Sequence, residues 1–162
     1  MGQSMTDIRA AYRATFVRRW HSNPDASDLH DELGAHQGRV ALLCLTLWPD
    51  AHALPRAALM HDIGESGLGD VSGDAKRQYP DLAAMLLRIE GERLAAMKLP
   101  AVSLSDMEQR RLHLADLLDA YLFIRHRRPR LLSGDGWPEA LHVIRATAWA
   151  CGVGAQVEGL LK

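Results

Sequence analysis

Four side chains in this sequence have the types and spacing of a metal centre: His36, the adjacent His61-Asp62, and the distant Asp116. Two imidazoles and two carboxylates make a mixed nitrogen and oxygen donor set. Such a set suits Mn²⁺, Co²⁺, Fe²⁺ or Zn²⁺ with positions open to water and substrate, and differs from a closed thiolate zinc site. Each member alone has an ordinary structural reading. His61-Asp62 follows the apolar run Ala57 to Met60 and precedes Gly64, which reads as a helix terminus. His36 lies among Leu33, Val40 and Leu43, which reads as a core imidazole. Neighbours on a helix point about 100° apart, so His61 and Asp62 can share an ion only at a helix end or beside another element. Asp116 falls in the sector between Leu112, Ala120 and Phe123 of a helix that is apolar over most of its circumference. A carboxylate buried there without a cation or donor costs on the order of several kcal/mol.

The surrounding residues suit phosphate chemistry. Hydrolysis of a phosphate ester needs a metal to activate water and neutralise oxygen charge, a cation to hold the phosphate, and a proton source for the leaving group. The sequence offers Arg19, with Lys76 as a second cation, and Glu65 for the proton. Arginine is the better clamp because its planar fork pairs two phosphate oxygens at once.

The elements that must position these residues read as all-α, a compact bundle of about six helices, because strand signals are almost absent and alanine and leucine recur at helical spacing. The first helix is expected over about Asp7 to Val17, followed by a polar connection from Arg18 to Ser27. The second is expected over about Asp28 to Trp48, stopped by Pro49. The third begins near Pro55 and ends near Gly64. A glycine-rich turn, Gly64 to Gly73, should be irregular and surface-lining. The fourth helix covers Asp81 to Met97. The fifth starts from a capping box, Ser105 with Glu108, and continues to about His126. The last runs from Pro138 to about Cys151 and leaves a short glycine-broken tail.

A lone His, a His-Asp pair and a distant Asp, each on an apolar helix, resemble the signature of the HD superfamily of metal-dependent phosphohydrolases. Within it the chain looks most like the bacterial 5'-deoxynucleotidases. Their Arg-Trp pair, HDxxE segment, Gly-Asp shortly after that Glu, and Ala-Asp-x-x-x-Ala-Tyr helix match Arg19-Trp20, His61 to Glu65, Gly69-Asp70 and Ala115 to Tyr121. The similarity covers roughly Arg18 to Arg125. It implies the HD-domain fold over 1–162 as a single domain, one divalent ion on His36, His61, Asp62 and Asp116, and hydrolysis of the 5'-phosphate of deoxyribonucleoside monophosphates. It further implies that Arg19 clamps the phosphate, Trp20 packs on the sugar and disfavours a 2'-hydroxyl, Glu65 handles water or the leaving-group proton, and Asp70 orients substrate. A homodimer is also implied. The segment from His21 to Asp28, and Gln37 after the first ligand, depart from the deoxynucleotidase text. Phage dATP triphosphohydrolases are similar compact variants, so a triphosphate substrate is the alternative. A non-catalytic nucleotide sensor on the same scaffold is the other, and Glu65 and Asp70 argue against it, since a pure binder needs no proton-transfer carboxylate. Ser66 after Glu65 departs from the HDxxED of guanosine polyphosphate hydrolases, and the chain lacks the Lys and Gly-Tyr-Pro of cyclic-dinucleotide phosphodiesterases.

Composition bounds the partners. The formal net charge is -1 with 24% charged residues, so any anionic ligand must be caught locally. The basic cluster Arg125 to Arg130 ends a helix, where cations complement the dipole, and lacks the interleaved aromatics of a nucleic-acid surface. No nucleic-acid polymer is expected as partner. The longest strongly apolar stretch, Val40 to Trp48, is too short to span a bilayer, and the first residues show no signal-peptide run. Cys44 and Cys151, each in an apolar stretch, read as buried reduced thiols of a cytoplasmic protein.

Overall fold

Side-chain pattern and backbone agree on an all-helical chain. The computed structural model describes residues 6–69, 71, 73–134 and 136–162, with backbone alone for residue 74. Among these residues there is no strand, only an isolated antiparallel bridge between Arg18 and Glu32. The helices are α1 (Ile8–Ala14), α2 (Leu33–Leu47), α3 (Ala53–Ala58), α4 (Gly73–Gln78), α5 (Pro80–Met97), α6 (Asp106–Arg127), α7 (Trp137–Ala150) and α8 (Gly154–Leu160), with 3-10 turns at Ile63–Glu65 and Pro129–Ser133.

The chain divides into two compact units, Met1–Gln37 with Met60–Ala101, and Gly38–Leu59 with Val102–Lys162. In the first, α1 starts where the Asp7 side chain accepts from Ala10 N, and the Asp7 backbone N–H donates to Met97 O at 2.9 Å. Ala14, Ile63 and Met97 form a buried cluster there, with Ala10, Ala11, Leu94 and Leu99 packed around them. After α1 the chain pairs backwards onto the segment before α2: Arg19 N donates to Asp31 O, Leu33 N to Val17 O, and Gly34 N to Thr15 O. A side chain at Gly34 would meet Thr15 Cβ at 2.9 Å, so this close approach needs glycine.

That pairing corrects the second helix, expected from Asp28. Asp31 O and the N–H groups of Leu33 and Gly34 are taken by the 15–19 segment, so the helix starts only at Leu33. The third helix also ends early, at Ala58 rather than near Gly64, and the chain turns through His61 and Asp62 into the 3-10 turn. Gly64 has a different job: a Cβ there would meet Glu90 Cα at 2.9 Å, so the glycine lets α5 cross the turn. Gly73 opens α4, and the expected tail forms α8, where Val157 is buried. Among the described residues these two short helices raise the count to eight from the expected six or so.

In the second unit, α6 begins at the expected capping box: Ser105 Oγ accepts from Glu108 N, and Glu108 accepts from Ser105 N at 2.9 Å. The helix packs on α3 and α7, and α7 on α8. Tyr121 meets Trp137 edge-on at 6.0 Å, and Trp48 Nε1 donates to Cys151 O at 3.2 Å. Cys44 and Cys151 are free and buried. Burial pushes the Cys44 thiol up to about 11. No helix among the described residues is long and apolar enough to cross a membrane.

Candidate metal centre and catalytic site

The early end of α3 makes His61 and Asp62 converge. Adjacent residues on a continuous helix would diverge, but here Asp62 stands at φ -107°, ψ 5°, as the first residue of a turn in which Glu65 N donates to Asp62 O at 2.9 Å. His36 enters from the first turn of α2 and is fully buried. Its Nε2 lies 3.4 Å from Asp62 Oδ2, and His61 Nε2 lies 3.1 Å from the same oxygen. The two rings are 5.3 Å apart, tilted by 55°. One donor atom from each of His36, His61 and Asp62 falls within 4.8 Å of the others, a spacing and donor set that fit one divalent cation.

Asp116 stands on α6 in the second unit, half-buried, so its place as fourth ligand rests on the resemblance. One turn on, the sequence reading missed Asp119, a deeply buried carboxylate held by both arms of the Arg39 fork at 2.7 and 3.1 Å. A bidentate partner of this kind offsets the desolvation that burial imposes on the charge.

Glu65 is buried at the end of the 3-10 turn and faces Lys76 of α4, with Nζ 3.4 Å from Oε1. Burial works against the charge on Lys76, but Glu65, Glu90 and Asp62 outweigh it and hold the ammonium above its ordinary range. The Glu90 carboxyl on α5 is pushed up by burial and by Asp62, against the pull of Lys76. Sequence patterning gave no sign of Glu90. Its signal is spatial, since Gly64 puts α5 against the turn.

Arg19 and Trp20 meet a partner that the sequence reading also missed. Asp31 is buried, with Oδ2 3.5 Å from Arg19 Nη1 and 3.3 Å from the Trp20 indole Nε1, which donates to it. The Arg19 guanidinium carbon stands 5.3 Å from the centre of the Trp20 ring. Trp20 itself takes φ 65°, a left-handed conformation that costs a bulky residue on the order of 1–3 kcal/mol and that concentrates at functional sites. His21, given no role from sequence, lies against the glycine turn: a side chain at Gly69 would meet its ring at 3.2 Å. Asp70, expected to orient substrate, lies outside the described residues.

Comparison with protein-family models, with curated proteins and with solved structures returns no match for this chain.

Proposed function

We propose that this chain is a metal-dependent phosphohydrolase of the HD type that removes the 5'-phosphate of deoxyribonucleoside monophosphates. The observation that carries the reading is the convergence of the His36, His61 and Asp62 donors within 4.8 Å of one another, three residues before a buried carboxylate, Glu65. A divalent ion would be held by His36, His61 and Asp62, and the resemblance implies Asp116 as a fourth ligand. When bound, it supplies Lewis acidity toward phosphate oxygen and water.

The chain's own groups divide the remaining work. Arg19, oriented by Asp31, binds the phosphate in the ground state. Water adds to phosphorus as the bond to the 5'-oxygen breaks, and Glu65 carries the proton to that leaving oxygen. The Trp20 indole, fixed by its bond to Asp31, packs on the sugar and leaves a 2'-hydroxyl without a partner. Asp70 takes the substrate-orienting role that the resemblance implies. Two free, buried thiols support a reducing compartment, the cytoplasm, as its place of work.

The test is a panel of ribo- and deoxynucleoside mono-, di- and triphosphates incubated with Mn²⁺ or Co²⁺, followed by identification of the phosphorus product. Orthophosphate from deoxynucleoside monophosphates is expected. Tripolyphosphate from triphosphates would move the substrate to the triphosphohydrolase class, and no hydrolysis of any member would leave a nucleotide sensor.

A further inference from the structure

Lys76 looks, from sequence, like a second cation for substrate phosphate. Its surroundings favour a different role. The ammonium stands 3.4 Å from Glu65 Oε1, and the Glu65 side chain is only 7% exposed while that of Lys76 is 34% exposed. Three acids face it: Glu65 from the 3-10 turn, Glu90 from α5 and Asp62 from the turn before. Unlike the five-donor Arg19 fork, which can keep Asp31 and still face a phosphate, the single point charge of Lys76 would have to be drawn away from a carboxylate that has little water to fall back on. A buried carboxylate that loses a cationic partner keeps its desolvation cost and gains rotamer freedom, both of which spoil a proton-transfer geometry.

We propose that Lys76 is a positioning residue for Glu65: its ammonium fixes the orientation and charge of that carboxylate, and it does not bind the substrate phosphate. The proposal rests on the reading of Glu65 as the proton carrier. Partners that orient a catalytic or ligating group typically govern about 10-fold to 100-fold of activity, so the loss in Lys76→Met should be of that order and should fall in kcat. KM should change little, because the ground-state phosphate contact is untouched. Lys76→Arg, which keeps a cation at similar reach, should restore much of the loss. In a Glu65→Gln background Lys76→Met should add almost nothing, since the two residues act as one unit.

A second measurement reads the pair without turnover. The chain has three lysines, Lys76, Lys98 and Lys162. Competitive acetylation of the full chain followed by peptide mass spectrometry ranks their reactivity, and Glu65→Gln should raise the rate at Lys76 alone, because the paired ammonium gives up its proton less readily than a free one. An unchanged rate at Lys76 would overturn the pairing. A Lys76→Met enzyme with raised KM and normal kcat, or a loss that adds in full to that of Glu65→Gln, would overturn the positioning role in favour of a phosphate clamp. Absence of hydrolysis in the unmodified protein would sink the proposed function itself, a result distinct from either of these.

Discussion

Asp31 Oδ2 lies 3.5 Å from Arg19 Nη1, and both side chains are nine-tenths or more shielded from water. The pair sets an expectation for stability. Removing one partner of a buried ion pair takes away compensation that water cannot replace, at a cost of about 3–5 kcal/mol. Asp31→Ala should therefore unfold at markedly lower urea concentration than the unmodified chain, and Asp31→Asn, which keeps the shape and one acceptor, should lose less. If urea melts of Asp31→Ala match the unmodified chain, Arg19 is not held as described.

In the proposed reaction Trp20 would govern the choice of sugar. An unpaired hydroxyl buried against the indole costs about 1–3 kcal/mol, roughly tenfold to more than a hundredfold in relative rate. Trp20→Ala should narrow the preference for deoxynucleotides by raising relative activity on ribonucleotides. Equal kcat/KM on the two sugars in the unmodified enzyme would remove the basis for this role.

Glu65→Gln separates binding from chemistry. The amide keeps the volume of the side chain and removes the transferable proton, and general acid or base action by one group contributes typically about 10² to 10⁴ in rate. Turnover should fall by that order while metal content and KM stay close to normal. Loss of the metal in this variant would make Glu65 a ligand instead.

Cys44 gives the folded state a pH dependence. Its thiol is pushed by burial from 9.0 to about 11, so the folded chain holds the proton longer than the unfolded one. The sign follows from linkage: the contribution is fully present below pH 9, and is lost as pH rises toward 11. Two pH units correspond to about 2–3 kcal/mol. Urea melts between pH 8 and pH 11 should show a stability decline that is shallower in Cys44→Ala, with the reference value at pH 8 lower for the lost packing. A parallel decline in both proteins would assign the slope to other groups.

The parts of the fold that were legible in the sequence are those set by short-range patterns. Ser105 and Glu108 announce the start of α6 because a capping box is a local contract between residues three apart. His36, His61 and Asp62 were legible as candidate ligands because their types stand out on apolar helical stretches. Asp31 was not legible, since it lies in a polar segment without periodicity and meets Arg19 only because the chain folds back through the Arg18–Glu32 bridge. Glu90 was hidden for the same reason: it reads as one charge among several on α5 until Gly64 brings that helix against the turn. Gly64 itself reads in the sequence as a helix stop, whereas its missing Cβ serves a crossing. The rule that adjacent helical residues diverge did anticipate that His61-Asp62 needs a helix end, and the chain supplies it several residues earlier than glycine suggested.

The central claim is that the His36, His61 and Asp62 side chains hold one divalent ion, and titration of the stripped protein with Mn²⁺ or Zn²⁺ by calorimetry tests it most directly. The unmodified chain should bind one equivalent, and His36→Ala, His61→Ala and Asp62→Ala should each weaken that binding by at least about 10-fold to 100-fold while remaining folded by circular dichroism. Asp116→Ala, measured alongside, should weaken it as well if the fourth ligand is assigned correctly. One tight equivalent retained in all three of the first variants would contradict the account.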